Sequence, residues 1–494
     1  MSDKNFTVRE RILGGLFGKA VGGTLGQPCE GLRGPLFLDR YTPEPTEMQP
    51  NDDLDLQILW ICKITTDWKG VLSRKNFAKA WIENVHFYVD EYAVAIRNIE
   101  KGIYPPLSGQ YDNAFTDGLG AAIRSEIWAF LAPNDPETAV KYAKFDAEVD
   151  HYGDGYYAEL FLTSLESLAF GENDIMQLIE KGLKFIPENC RLAQAVRDTI
   201  KWCSESDEPL VVRRNILRKY GSPNFTDVVM NIPFMIMALI LGKGVFGKSI
   251  CLANNCGRDA DCTAATVGAI LGIIDPDSIE EQWLKPIGRN LVVSKEITGI
   301  NPPATLDELT DLIMEWQGKI VCDDTLPVEP NLKDFEIHAE TGVSVPKSRG
   351  DISREKINAI ELTDVTFKGN LNQIDLSDLQ GDSFRIFEMK MHVPYDGRYA
   401  FIVAATCRCL VWLNDELQFG QSRGDFVPST NRPHINQNLR MFMKKGTYNL
   451  SIALSPYDEE QLSTPLFFCL ANHEYKFILG AFDRDNNKNL KGKE

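Results

Sequence analysis

Cysteine pairs, polybasic runs, long apolar spans and a basic-then-apolar leader are all missing from this sequence. Eleven cysteines occur, none in CxxC spacing, and Cys62, Cys251 and Cys469 sit in apolar stretches where a thiol behaves as a small hydrophobe. That usage fits a reducing compartment rather than a disulfide framework. Lysines and arginines number 52 against 70 aspartates and glutamates, a net charge of −18. Nucleic acid and anionic membrane are polyanions, so neither is expected as the main partner. No run of about 18 apolar residues exists to span a bilayer. Met1-Ser2-Asp3-Lys4-Asn5 lacks the pattern of a secretory leader, and the expected location is the cytoplasm.

What is present is a soluble globular composition, 44% hydrophobic and 25% charged, over 494 residues. That length exceeds one ordinary core and predicts two or three domains. Up to about residue 325 the periodicity is helical. Helices are expected at 8–26, 54–66, 74–89, 121–130, 136–149, 158–170, 174–185, 191–204, 209–220, 232–241 and 263–274, with 102–120 as a long loop. No repeat of about 30 residues marks a solenoid. After Pro327 and Pro330 and the linker 347–351, period-2 segments take over: 384–391, 399–403, 409–413 and 448–454. Turns at Asp396-Gly397, Asn414-Asp415 and Lys445-Gly446 separate them, the pattern of an antiparallel, jelly-roll-like sandwich. The expected organisation is an all-α domain at 1–325, a linker at 326–355 and an all-β sandwich at 356–494. In the sandwich, Trp412, Tyr395, Tyr399 and Arg432-Pro433-His434 are either a sugar-facing surface or, for the aromatics, core.

Two acidic stretches organise the helical part: Asn51-Asp52-Asp53-Leu54-Asp55 and Gly257-Arg258-Asp259-Ala260-Asp261-Cys262-Thr263. Each runs directly into an apolar segment. Taken singly, such clusters are helix caps or solvated turns. Taken together, carboxylates brought into one buried place need a cation or protons to offset their repulsion. Hard oxygen ligands suit Mg²⁺, Ca²⁺ or Mn²⁺ better than zinc. Along the first helix Gly14, Gly18, Gly22 and Gly26 recur every fourth residue. Glycine is a poor helix former, so this stripe predicts close approach of another helix or of the metal centre. Glu30 is the one acid near the end of that helix.

A further candidate is the loop Asp150-His151-Tyr152-Gly153-Asp154-Gly155-Tyr156-Tyr157, where two glycines around an acid let a ligand approach the backbone. His151 would polarise substrate or cap a helix. Tyr156 and Tyr157 beside Asp154 would form a sugar platform, with ring faces to stack on and a carboxylate for hydroxyls, or belong to the next helix. Asn231 is read as an N-cap or as a polar group facing the site.

These features together resemble the ADP-ribosylglycohydrolases of the dinitrogenase-reductase-activating type. The glycine helix ending in Pro28 and Glu30 matches that family's opening motif. Asn51-Asp52-Asp53-Leu54 is similar to its Thr-Asp-Asp-Thr, and Gly257 to Cys262 to its Gly-x-Asp-x-Asp-Thr. The resemblance covers residues 8–300 and implies an all-α fold with a dinuclear Mg²⁺ centre. Asp52, Asp53, Asp259 and Asp261 would be ligands, Asn51 and Cys262 would stand at ligand positions, and Glu30 would be a ligand or a base. Cys262 replaces a threonine oxygen with a thiol, a poor Mg²⁺ ligand. One ion or two, with Mn²⁺ as the alternative metal, therefore stays open, as does substitution by Thr263 or Asp55. The family's Gly-Asn-Gly-Ala-Met-Arg loop, which helps hold ADP-ribose, reads Gly153-Asp154-Gly155-Tyr156-Tyr157-Ala158 here. An acid without a following arginine weakens the case for a pyrophosphate.

The expected activity is metal-dependent hydrolysis at a ribose or other furanose anomeric carbon, with Glu30, Asp53 or Asp261 as general base. The substrate-binding residues would be His151, Gly153, Asp154, Gly155 and Tyr156, facing a sugar, glycan or ADP-ribose-type small molecule. Two alternatives stand: a true ADP-ribosyl-protein or ADP-ribosyl-nucleotide hydrolase, and a degenerate sugar-binding or scaffold protein.

Overall fold

The computed structural model describes residues 5–346, 353–357, 361–432 and 438–482. The linker 347–351 and Pro433-His434 lie outside the described residues. Two compact units emerge. The first takes in the chain up to Phe87, Ile103–Gln110 and Phe115–Val328; the second takes in Tyr88–Gly102, Tyr111–Ala114 and the chain from Glu329.

The helical unit is built on one antiparallel pair. The glycine helix, Val8–Gly26, starts at a capping box in which Thr7 Oγ1 accepts from Glu10 N and the Glu10 carboxylate accepts from Thr7 N. Its partner is Ala260–Ile274. A methyl group added at Gly14 would stand 2.3 Å from Gly272 O, at Gly18 2.0 Å from Gly268 O, and at Gly22 2.2 Å from Ala264 O. At Gly26 it would stand 2.2 Å from Asp261 Cα. The stripe is therefore a backbone-to-backbone seam, and its last contact is with the second acidic stretch.

Several local expectations change, among them the linker 326–355, which contains the strand Ile337–Ser344. The helix expected at 74–89 is Arg74–Asn84. It stops because Val85 turns extended and bridges to Ile297, while His86 N donates to Glu296 O. Asp90–Glu100 is a helix that the periodicity left unassigned, and Leu107–Gln110 forms a short helix inside the expected loop. Asn231 is not an N-cap. The helix is Val228–Gly242, capped by Asp227 on Val229 N, and Asn231 lies inside it with Nδ2 donating to Phe225 O and Asp227 O. The helical unit also holds a short parallel pair, β1 (Val71–Ser73) and β2 (Val321–Asp323).

The second unit is an antiparallel sandwich. Its strands are β3 (Ile337–Ser344), β4 (Thr363–Phe367), β5 (Leu371–Asp375), β6 (Phe384–Val393), β7 (Gly397–Ala405), β8 (Arg408–Leu413), β9 (Glu416–Gln421), β10 (Asn438–Met443), β11 (Gly446–Ser455) and β12 (Ser463–Asn472). One sheet runs β4-β3-β6-β11-β8-β9 and the other β10-β7-β12-β5. Alternate residues of β7 take opposite faces. Tyr399, Phe401 and Val403 pack into the core between the sheets, beside Phe387, Met391 and Phe468. Ile402 and Ala404 face outward and are covered by Ala93 and Val94 of the helix Asp90–Glu100. Trp412 is buried on the outer face of the larger sheet under Ile357. Trp412 and Tyr399 are thus core, while Tyr395 stays exposed and Arg432 pairs with Asp90.

Candidate metal centre

The seam carries the second acidic stretch to the first. Asn51 caps the helix Asp52–Thr65: its Oδ1 accepts from Asp53 N at 2.9 Å, and its Nδ2 donates to Asp261 Oδ2 at 3.1 Å. The Cys262 thiol donates to Asp53 Oδ1 at 3.3 Å. One ligating atom from each of Asp53, Asp261 and Cys262 lies within 4.8 Å of the others, an arrangement fitted to hold a metal ion. Asp53, Asp259, Asp261 and Cys262 are buried, Asp52 is half-buried and Glu30 is exposed. Glu30 is set by the next turn of chain: Gly31 N donates to Arg258 O, and Arg258 N to Leu32 O. Gly257 must be glycine, since its φ is +68° and an added methyl would meet Leu32 O at 2.6 Å.

Crowded carboxylates resist ionisation here. Burial, then the charges of Asp53, Asp261 and Glu30, pushes the Asp52 carboxyl well above its usual value. Burial, then Asp261 and Glu30, does the same to Asp259. Burial raises Asp53 to about 6 even though Lys19 opposes it, and burial with Glu30 raises Asp261 to about 6. Burial and the surrounding aspartates hold the Cys262 thiol far above its normal range. These mutual effects place Glu30, Asp52, Asp53, Asp259 and Asp261 in one electrostatic cluster.

Whether the pocket suits a cation is decided by its orphaned atoms. Asp261 Oδ1 is buried without a hydrogen-bond donor, and Asp53 Oδ2 faces the Lys19 ammonium at 3.4 Å. A buried carboxylate oxygen left so is costly unless a cation or proton meets it. The oxygen-rich donor set fits a hard divalent ion, with Cys262 as the soft exception. Thr263 Oγ1 is committed to Ala260 O in its own helix, whereas Asp55 Oδ2 accepts from Ser294 N and its Oδ1 is buried without a donor.

The 151–156 loop is held by different partners. His151 is buried with Nδ1 2.8 Å from Asp150 Oδ1. Asp150 joins Asp146 on the buried Arg124 guanidinium. Gly153 has φ +59° and precedes the helix Asp154–Leu168. Asp154 Oδ1 accepts from Leu192 N at 3.0 Å, capping the helix Arg191–Glu205. Gly155 is required because a methyl there would stand 2.2 Å from Thr116 O. Tyr156 and Tyr157 are half-buried, with rings 5.6 Å apart and edge to face.

Three groups at the centre, Lys19, Glu126 and Gln57, escaped sequence reading. Lys19 Nζ lies 2.8 Å from Glu126 Oε1 and 3.4 Å from Asp53 Oδ2. Gln57 Nε2 donates to Glu126 Oε2. The available signal was that Lys19 is the sole charged residue between Ile12 and Cys29, in a stretch otherwise made of apolar residues, glycines, Thr24, Gln27 and Pro28.

The sequence matches the ADP-ribosylglycohydrolase family profile over residues 5–319. A protein from Archaeoglobus fulgidus, described only as uncharacterized, is similar at 24% identity over 343 residues, 64% of this chain and 99% of that one. A solved ADP-ribosylglycohydrolase-related protein complex is similar at 18% identity and a TM-score of 0.44, over 63% of this chain and 99% of the other. A β-glucosidase from Kluyveromyces marxianus in complex with glucose is similar over 27% of this chain and 16% of its own, at 16% identity and a TM-score of 0.19. With the profile covering well over half of its length, the chain belongs to the ADP-ribosylglycohydrolase family. Its architecture is that family's helical domain followed by antiparallel β-sheets, and its activity class is glycohydrolase-like.

Proposed function

We propose that this protein is a metal-dependent hydrolase of a glycosidic bond at a ribose or other furanose anomeric carbon. The observation that carries the reading is the convergence of Asp53 and Asp261, with Asp261 Oδ1 buried and meeting no donor. Asp52, Asp53, Asp259 and Asp261 would hold Mg²⁺ or Mn²⁺, with Asn51 and Cys262 at the pocket wall. When bound, the ion supplies charge that orients a sugar's vicinal hydroxyls and acidifies water. Glu30, exposed at the rim, takes the proton of the attacking water as general base. Asp53 and Asp261 suit that task less well, because Asp53 is engaged by Lys19 and Cys262 and Asp261 by Asn51. The seam fixes these groups on rigid helices, so the hydroxyls and the water meet in a set orientation.

The test is turnover of a panel of aryl furanosides and ADP-ribosylated arginine and serine peptides, with Mg²⁺ or with excess EDTA. Turnover that needs the ion supports the reading; equal turnover in EDTA removes the metal from it. Within that reading, an ADP-ribosyl substrate gains from one feature. Arg258 lies within the second acidic stretch, Arg33 follows Glu30 in the chain, and the Arg213 guanidinium donates to Arg33 O and Cys256 O. Burial, then Arg213 and Arg33, lowers Arg258 from its usual value, and its Nε meets no acceptor. Such a cluster suits a phosphate and supplies the positive charge that the 153–158 loop lacks. Arg258→Ala is expected to raise KM for ADP-ribosylated peptides and leave it unchanged for phosphate-free furanosides.

A further inference from the structure

Lys19 is 2% exposed on a helix whose surrounding face is glycine and apolar residues. Burying an ammonium there is costly unless its surroundings offset the charge. They do so fully. Its Nζ donates to Ile123 O at 2.6 Å and to Thr266 Oγ1 at 3.4 Å, and it pairs with Glu126 Oε1 at 2.8 Å and Asp53 Oδ2 at 3.4 Å. The partners come from three separate stretches of chain, so this position is built rather than incidental. Asp53 is held on both sides: Lys19 faces Oδ2 and the Cys262 thiol faces Oδ1. Asp261 Oδ1, by contrast, is buried without a donor.

We propose that Lys19 is a built-in cation of the acidic centre, occupying the charge role of a second divalent ion, so that this chain binds one ion where two carboxylate stretches would otherwise hold two. The proposal rests on the metal-centre reading and adds to it how many ions the centre holds and why. A carboxylate that bridges two ions through its two oxygens offers one to each. Asp53 offers Oδ2 to an ammonium, and a divalent ion beside that oxygen would stand next to Nζ. Like charges so close in a buried site repel strongly. A single ion would therefore take Asp53 through Oδ1 rather than Oδ2, together with the unpartnered Asp261 Oδ1. Glu126, too far into the core to serve substrate, balances the remaining charge of Lys19 and is itself fixed by Gln57.

A purely structural Lys19–Glu126 pair is the competing account, and ion binding separates the two. Full-length protein is loaded with Mn²⁺, bound metal is counted after equilibrium dialysis, and the electron paramagnetic resonance spectrum distinguishes an isolated ion from an exchange-coupled pair. Wild type is expected to hold one Mn²⁺ per chain with an uncoupled six-line signal. Lys19→Met alone leaves Glu126 unpaired in the core, so the decisive variant is Lys19→Met with Glu126→Gln, in which both charges leave together. That double variant is expected to bind Mn²⁺ about tenfold tighter or more, or to take up a second, coupled ion. Lys19→Arg, which keeps the charge, should still hold one. Two coupled ions in wild type, or a double variant with unchanged count and affinity, overturns the proposal and leaves the metal centre standing. Failure of every form to bind Mn²⁺ overturns the metal centre and this proposal with it.

Discussion

Adding a single methyl group to the glycine seam tests whether it assembles the site. In Gly18→Ala the new carbon would lie 2.0 Å from Gly268 O and 2.4 Å from Gly268 C, so reaching ordinary contact at 3.4 Å requires the helices to part by about 1.4 Å. The clash is with backbone on both sides, which cannot swing away as a side-chain end can. Overpacking of this kind costs about 1–3 kcal/mol where the surroundings relax. Alanine returns about 1 kcal/mol through helix propensity. Because the seam cannot relax locally, a net loss of about 2 kcal/mol is expected, at the upper end of that balance. Gly26→Ala adds a second effect, since its methyl would lie 2.2 Å from Asp261 Cα and 2.4 Å from Asp261 N. It should displace Asp261 and weaken ion binding as well as stability. Gly23→Ala is the control: its nearest neighbour is a side-chain atom, Asn51 Nδ2 at 3.3 Å, and its stability should hold or rise by up to about 1 kcal/mol. Urea melts followed by far-ultraviolet circular dichroism, alongside Mn²⁺ titration, measure both quantities. A Gly18→Ala protein as stable as wild type would refute the seam as the element that brings the acids together.

Three other outcomes follow from the same geometry. Asp53 and Asp261 have folded values of about 6 against 3.8 for the free side chain, so the metal-free folded protein binds protons more readily than the unfolded chain. Its stability should fall as pH rises from about 4 through about 6, and the gain in melting temperature on adding Mg²⁺ should grow over the same range; a gain that shrinks with rising pH contradicts this. Asp261→Asn keeps an acceptor for Asn51 but removes the charge beside the orphaned oxygen, and should weaken Mn²⁺ binding by about tenfold or more in equilibrium dialysis. Arg124→Met leaves the buried Asp146 and Asp150 without their guanidinium and should cost about 3–5 kcal/mol in urea unfolding.

The acidic stretches were legible because clustered carboxylates ahead of apolar helices have few physical explanations. The glycine stripe was legible as a close approach, but not its partner, since Gly268 and Gly272 could be matched to Gly18 and Gly14 only in three dimensions. Lys19 was not read as part of the centre. A lone lysine in a helix is ordinarily a solvated side chain, and its partners Glu126 and Thr266 lie 107 and 247 residues away. The helix Asp90–Glu100 was missed because Tyr92 to Ile96 is buried throughout and shows no polar face. Period-2 reading found the strands but could not say that both faces of β7 are covered, nor that Trp412 lies under Ile357. Asp154 looked like a sugar-binding acid because a carboxylate between glycines has no local donor; its partner, Leu192 N, is 38 residues away.

The central claim is that Asp53 and Asp261, delivered by helices far apart in sequence, grip one cation. A crystal grown with Mn²⁺ and measured at an anomalous wavelength tests it directly. The account predicts one anomalous peak per chain in ligand contact with both carboxylates. Crystals in which Mn²⁺ scatters elsewhere, while those two side chains stay unligated, would contradict it.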